Sequence, residues 1–266
     1  MIRIATWNVN SIKARLANVT AWLESTAPDV VLLQELKCEA SGFPALEIEA
    51  LGYRTAVVGQ KSYNGVAILS RLPIADIREG LPGDDSDEQA RYVEATIDGD
   101  IRVASIYLPN GNVSGGPAQG SEKYAYKLAW MDRLRARTRD LLDDDRPFVL
   151  GGDYNVIPEP EDCHDPAAWA DDALFLLDTR RKWRALRHLG LTDALRALDD
   201  RPGRYTFWDY QGRAWQADNG IRIDHFLLSP GAADRLDACD IDREPRGKDK
   251  ASDHTPVVVT LRDAAA

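Results

Sequence analysis

Cysteine is scarce: three in 266 residues, Cys38, Cys163 and Cys239, far apart and in no Cys-x-x-Cys pair. That argues against a disulfide framework or a structural zinc site and leaves three small structural thiols. No apolar run approaches the ~18 residues of a membrane span. The opening MIRIATWNVN holds no apolar run of signal-peptide length and moves straight into a strand pattern, so a cytoplasmic protein with no membrane partner is expected. No low-complexity linker divides the chain. An excess of positive charge is also missing, the net charge being -10. This disfavours coating nucleic acid by bulk electrostatics. It leaves room for an enzyme whose metal ion and local basic rim handle a few phosphates.

What is present is a chain with 44% hydrophobic residues, enough for a sizeable core. Strand-like and helix-like segments alternate throughout, which points to one α/β domain over residues 1–266. Short apolar runs predict buried strands at Ile2–Thr6, Val30–Leu33, Val66–Leu69, Ile101–Ile106, Phe148–Leu150, Ile223–Leu228 and Val257–Leu261. Amphipathic spacing predicts helices at Ser11–Ser25, with Ile12, Leu16, Val19 and Leu23 inward, and at Ser121–Leu142. Shorter helices are expected at Arg181–His188 and Thr192–Leu198. Loops stand out at Pro82–Gln89, Asn110–Gly120, Ile157–Trp169 and Gln211–Gly220. The acidic run Asp143–Asp145 reads as a helix end and turn, and Asp263–Ala266 as a frayed tail.

Basic residues cluster in three places. Arg133, Arg135, Arg137 and Arg139 fall beside Leu134, Leu141 and Leu142 at helical spacing and read as a solvated helix face. A second cluster spans Arg180–Arg187. The third, Arg243, Arg246, Lys248 and Lys250, lies in a Pro/Gly-containing loop and is the candidate phosphate rim, with Lys248 as a substrate contact.

Polar residues follow the apolar runs in a consistent way. Ile2–Thr6 leads into Trp7-Asn8-Val9-Asn10, Val30–Leu33 into Gln34-Glu35, Ile101–Ile106 into Tyr107-Leu108-Pro109-Asn110, and Phe148–Leu150 into Gly151-Gly152-Asp153-Tyr154-Asn155. Ligand sites in open α/β sheets form beyond the carboxyl ends of strands, so four such ends suggest one shared site. In extended chain Asn8 and Asn10 face one way, as do Asp153 and Asn155. Asp153 could accept a proton from water that Asn155 orients; an Asx-turn at the strand end accounts for the same spacing equally well. The preceding Gly pair suggests a sharp turn or close substrate approach. Glu35 emerges from a buried strand and needs compensation, from Lys37 or an arginine, or from a hard cation such as magnesium or manganese.

Of four histidines, His164, His188 and His225 read as structural, His225 on the strand face opposite Asp224. His254, in Ser252-Asp253-His254-Thr255-Pro256 before the last strand, can bind a phosphate oxygen while Asp224 fixes its tautomer.

Taken together, Trp7-Asn8-Val9-Asn10, Leu33-Gln34-Glu35-Leu36-Lys37, Tyr107-Leu108-Pro109-Asn110, Gly152-Asp153-Tyr154-Asn155, Ile221-Arg222-Ile223-Asp224 and Ser252-Asp253-His254-Thr255-Pro256-Val257 resemble, in order, the exonuclease III / apurinic-apyrimidinic endonuclease family within the endonuclease–exonuclease–phosphatase superfamily. The likeness spans nearly the whole chain; each motif alone is weak, and six in order are specific. The resemblance implies a four-layer α/β sandwich, two face-to-face mixed sheets flanked by helices. It implies Glu35 as principal metal ligand, assisted by Asn8, Asn10 and Asp253, for Mg2+ with Mn2+ able to substitute. It implies Asp153 and Asn155 on the attacking water, His254 and Asp224 at the scissile phosphate, and Tyr107 at phosphate or leaving oxygen. Asn110 is expected at the substrate, and Phe207, Trp208, Ile221 and Ile223 match positions that wall a pocket for a base-less deoxyribose. Phe207 and Trp208 would serve equally well as core residues.

The implied activity is hydrolysis of double-stranded DNA, 5′ to abasic sites or at 3′ ends carrying terminal nucleotides or blocking groups; a monomer is the default expectation. Alternatives are a phospholipid or inositol phosphate phosphodiesterase of the same superfamily, or a non-catalytic DNA-binding relative. The chain departs from the family pattern at Leu36, where Thr is usual, and at Ser11, where Gly is common. It also lacks an arginine that some relatives carry in the Asn110–Gly120 loop.

Overall fold

The computed structural model describes residues 1–264; residues 265–266, part of the expected tail, lie outside the described residues. In chain order the elements are β1 (Ile2–Asn8), α1 (Ile12–Thr26), β2 (Val30–Gln34), α2 (Ala45–Glu49), β3 (Arg54–Val58), β4 (Val66–Ser70), β5 (Ile74–Glu79), β6 (Tyr92–Ile97) and β7 (Ile101–Tyr107). There follow α3 (Glu122–Asp143), β8 (Phe148–Asp153), α4 (Leu177–Arg187), β9 (Thr192–Asp193), α5 (Ala194–Leu198), α6 (Ala214–Ala217), β10 (Asp224–Leu228), α7 (Pro230–Ala233), β11 (Leu236–Ile241) and β12 (Val257–Leu261). The strands form two six-stranded mixed sheets, ordered β11-β12-β1-β2-β4-β3 and β5-β6-β7-β8-β10-β9.

Burial on both faces of the central strands explains the layering. Ile4, Leu32, Val103 and Val149 meet between the sheets. Their neighbours Ala5, Val31 and Leu33 face α1 through Ile12, Val19, Trp22 and Leu23. Ala104 and Leu150 pack on the other side under Trp130, Leu134 and Trp183 of α3 and α4. Alternate residues therefore serve two cores, and helix–sheet–sheet–helix is the outcome. Gly151 and Gly152 lie inside β8 rather than at a turn. A Cβ on Gly151 would lie 2.7 Å from Leu32 of the facing sheet, and one on Gly152 would strike the Ile106 backbone, so the pair permits close packing rather than substrate approach.

Each sheet has one parallel pair at its centre, β1 with β2 and β7 with β8. The carboxyl ends of all four strands point to one end of the sandwich. Strands β10 and β12 run antiparallel to β8 and β1, so their amino ends, beginning at Asp224 and just after His254, arrive there too.

Several local expectations change. Arg133 and Arg137 are not solvated: they reach Asp87 at 2.7 Å and the fully buried Glu94 at 2.6 Å, because β6 and its preceding loop present carboxylates beneath α3. Thr192–Asp193 forms a strand, and Asp193 then caps α5. Helix α4 starts at Leu177, earlier than predicted, and α6 interrupts the loop at 211–220. Trp22 takes a buried place on α1 where Leu16 is half-buried. Ser121 caps α3 by accepting the Tyr124 amide at 3.1 Å. Among the described residues no helix is long and apolar enough to cross a membrane.

Behind the strand ends lies a buried ionic network. Arg222, 1% exposed, donates to Asp162 at 2.7 Å, to Asp193 at 3.0 Å and to His225 Nδ1 at 2.9 Å. His225 then donates through Nε2 to the Val156 carbonyl at 3.0 Å. Burial, followed by the Arg222 charge, pushes His225 down to about 3. Because this folded value lies below the unfolded one, stability present above pH 6.5 is lost as pH falls. The His225 contribution is about 2 kcal/mol between pH 7 and 5. Denaturant titrations at those two pH values should show wild type losing that much more than His225→Gln; equal losses would refute the neutral-imidazole assignment.

Ser11 holds φ +88° at the start of α1, which explains why glycine suits this position. Its side chain accepts the Ala14 amide at only 3.4 Å. Ser11→Gly should therefore stabilise the fold by about 1 kcal/mol, strain relief outweighing a weak cap. A lower midpoint in chemical denaturation would show that the cap dominates.

Candidate active site

The site grows from Asn8, the last residue of β1, which is fully buried. Its Nδ2 donates to Glu35 Oε1 at 2.9 Å and to Asp153 Oδ2 at 2.9 Å, joining the ends of strands from both sheets. Its Oδ1 accepts the Asn10 amide at 3.0 Å, an Asx-type turn that fits the Asn10 φ of +45°. Asn10 then donates through Nδ2 to Asp253 at 3.1 Å.

Glu35 sits just beyond β2. Tyr107, at the end of β7, donates its hydroxyl to Glu35 Oε1 at 2.8 Å. Lys37 pairs with Glu35 Oε2 at 2.9 Å and also reaches Asn10 Oδ1. Burial opposes ionisation of Glu35, but the Lys37 charge and the Asn8 and Lys37 hydrogen bonds hold its carboxyl below the usual range. Burial, then the Glu35 and Asp153 charges, push the Tyr107 phenol well up, so it serves as a neutral donor.

Asp153, 1% exposed, ends β8. The Asn155 amide donates to its Oδ1 at 2.9 Å. The Asn155 side chain, on left-handed backbone, donates to the Leu108 carbonyl at 2.9 Å and accepts from Asn110 Nδ2 at 3.1 Å. The Asp-x-Asn spacing is thus an Asx turn: Asn155 stands in left-handed rather than extended backbone, and its amide aims the Asp153 carboxylate into the site.

His254 faces Asp153 with Nε2 at 3.8 Å from Oδ2, while Nδ1 donates to Asp224 Oδ2 at 2.9 Å. Thr206 donates to that same Asp224 oxygen at 2.6 Å. Burial disfavours charge on His254, but Asp224 and Asp153 outweigh it and raise the imidazole to about 10. Asp153 is raised to about 7 by burial, with His254 pulling down and Asp224 pushing up. The neighbouring carboxylates thus favour the charged imidazole, while burial raises the Asp153 carboxyl beside it above the usual carboxylate range.

Glu35, Asp153 and His254 each offer an atom within 4.8 Å of the others. His254 Nδ1 is committed to Asp224, so Nε2 is the ring nitrogen it presents to this group. The oxygens of Glu35, Asn8, Asn10, Asp153 and Asp253 suit a hard cation. The Lys37 ammonium already bridges Glu35 and Asn10, so positive charge is what this corner demands.

The remaining predicted contacts divide. Phe207 is half-buried against His254, ring centroids 4.9 Å apart, and bridges Ile221. Phe207 and Ile221 line a cavity of about 210 Å³ with His164 and Trp169. Trp208, one residue on, points away: fully buried, it donates to Asp218 at 3.0 Å and packs on Trp215. Ile223 is buried in a cluster with Ile157 and Leu174 and does not line that cavity. Lys248 pairs with Glu244 at 2.5 Å and, with Arg15, Tyr210, Arg246 and Lys250, borders a cavity of about 390 Å³. Tyr210, whose hydroxyl lies 3.3 Å from Asn10, connects that basic cavity to the site.

Sequence reasoning missed Tyr210, Thr206 and Lys127. Only Lys127 carried a signal: a lone lysine in phase with the buried Tyr124, Trp130, Met131 and Leu134 of α3.

Residues 5–254 match the Endonuclease/Exonuclease/phosphatase family. The chain is similar to exodeoxyribonuclease III of Haemophilus influenzae, 29% identical over 264 residues that cover 96% of this chain and 98% of that protein. Among solved structures it is similar to an AP endonuclease from Archaeoglobus fulgidus, with TM-score 0.92, 38% identity and coverage of 98% and 99%. It is likewise similar to the 3′ phosphatase NExo from Neisseria bound to a product DNA hairpin, with TM-score 0.94, 38% identity and coverage of 99% and 100%. The chain belongs to the endonuclease/exonuclease/phosphatase family.

Proposed function

We propose that this protein is a magnesium-dependent DNA repair nuclease, one catalytic domain that hydrolyses phosphodiesters 5′ to abasic sites and at blocked or terminal 3′ ends. The observation that carries this reading is the meeting of Glu35, Asp153 and His254 within 4.8 Å, although they lie far apart in the chain. Relatives named for abasic-site, 3′-phosphatase and exonuclease activities support the substrate class.

Glu35, with Asn8, Asn10 and Asp253, would hold the cation, and Mn2+ with the same oxygen preference should substitute. When bound, that ion neutralises phosphate charge and favours attack. Asp153 takes the proton of the attacking water, its carboxylate steered by Asn155 and Asn8. His254, kept cationic and oriented by Asp224, donates to a phosphate oxygen and stabilises the charge that grows in the transition state. Tyr107 holds Glu35 and can contact the leaving oxygen, while Asn110 steadies Asn155. Phe207 and Ile221 offer a compact apolar wall, and a sugar without a base costs least to swing out against it. Lys248, with Arg15, Arg246 and Lys250, forms a basic rim for neighbouring phosphates despite the acidic whole. The protein acts as a cytoplasmic monomer.

Incubation with a duplex bearing one abasic site, and with a recessed 3′ end, tests the reading directly. Magnesium should support cleavage and EDTA abolish it; cleavage that persists in EDTA contradicts the metal assignment. Asp153→Asn should lower kcat by about 10²–10⁴-fold with the fold intact, since an amide cannot accept the proton. Near-full activity in that variant would rule out the base role. Glu35→Ala should shift the magnesium titration to much higher concentration. An unchanged titration would leave Glu35 as a partner of Lys37 alone.

A further inference from the structure

Lys127 is the one lysine of α3 that is fully buried. Among the described residues it has no carboxylate partner in ion-pair contact. Its Nζ instead donates to two backbone carbonyls, Asn155 at 2.5 Å and Asn110 at 3.0 Å. These belong to the segments leaving β8 and β7, the central parallel pair of one sheet. Gly111, at φ +88°, lies directly on the lysine stem: a Cβ there would stand 2.7 Å from Lys127 Cδ and 3.2 Å from Ala173. The chain thus packs directly against the lysine stem.

A buried amine of this kind is expensive to keep. Burial pushes Lys127 down to about 7, against the distant pull of Asp172 and Asp153. An apolar side chain of equal length would avoid that penalty but leave the Asn155 and Asn110 carbonyls without this donor. Its contacts indicate what it holds. Asn155 is in left-handed backbone at φ +47°, a conformation that asparagine adopts more readily than most residues with a Cβ but that local hydrogen bonds must hold. That conformation aims the Asn155 amide at Asp153 Oδ1 and its side chain at Leu108 and Asn110.

We infer that Lys127 is a positioning residue for hydrolysis: by clamping the Asn155 and Asn110 carbonyls together, it fixes the turn that orients Asp153. It touches neither substrate nor cation and acts through Asn155. This inference rests on the hydrolase reading above.

The test compares wild type with Lys127→Met on the abasic duplex in magnesium. Methionine preserves length and volume and removes the donor. The expected result is a fall in kcat of about 10- to 100-fold, as for small misplacements of a reacting group, with KM within about threefold and the protein fully folded at the assay temperature. A variant that keeps kcat within about twofold, or whose loss of activity only follows its unfolded fraction, overturns the inference. Should methionine prevent folding, Lys127→Ala leaves space for an added amine. There n-propylamine should raise kcat several-fold above sodium chloride at equal ionic strength, and no recovery in folded protein overturns the inference. Wild type without cleavage would overturn the hydrolase reading and this inference with it. A cleaving wild type with an unaffected Lys127→Met overturns the inference alone.

Discussion

The structure depends on keeping one carboxylate, Asp153, almost out of water and still usable. An unpaired buried carboxylate costs several kcal/mol and ordinarily takes up a proton instead. Asp153 is surrounded by the Asn8 and Asn155 donors and the His254 imidazolium, which offset burial without cancelling it. Burial prevails, and the carboxyl stays above the usual carboxylate range.

The two-sheet sandwich supplies that environment through chain direction. Parallel strand pairs stand at the centres of both sheets, and their carboxyl ends leave Asn8, Glu35, Tyr107 and Asp153 at one rim. The antiparallel neighbours bring Asp224 and His254 from the opposite chain direction. Asn8 spans the gap between sheets, so the relation of the sheets to one another sets the distance between Glu35 and Asp153. Gly151, which lets Leu32 approach, thus bears on the site from within the core.

Behind the reacting groups stand polar residues that never reach solvent. Arg222 binds Asp162, Asp193 and His225 and flanks Ile223 and Asp224. Thr206 accepts the Ile223 and Asp224 amides and donates to the Asp224 carboxylate. Lys127 does comparable service on the other side. Fully satisfied buried networks of this sort specify one arrangement of the groups they touch.

Much of the architecture was legible in order alone. Apolar runs buried on both faces imply covered sheets, and β1, β2, β4, β7, β8, β10 and β12 follow from them. Strands β3, β5 and β11 were not legible, because at sheet edges they carry no long apolar run, and nor was the buried β6, whose run is broken by Glu94 and Thr96. The residues that meet at this rim could be named because a polar group directly after a buried strand stands at the carboxyl end of a sheet, where ligand sites form. Tertiary structure decided the rest. It set Trp208 away from the site that Phe207 borders, since adjacent residues in extended chain face opposite ways. It turned Arg133 and Arg137 inward to carboxylates on a neighbouring layer that helical periodicity cannot reveal. It also supplied the 4.8 Å separation among Glu35, Asp153 and His254 and the shifted ionisation that follows. Residue type and local pattern are properties of neighbours along the chain; distance and burial between remote residues exist only once the layers have packed.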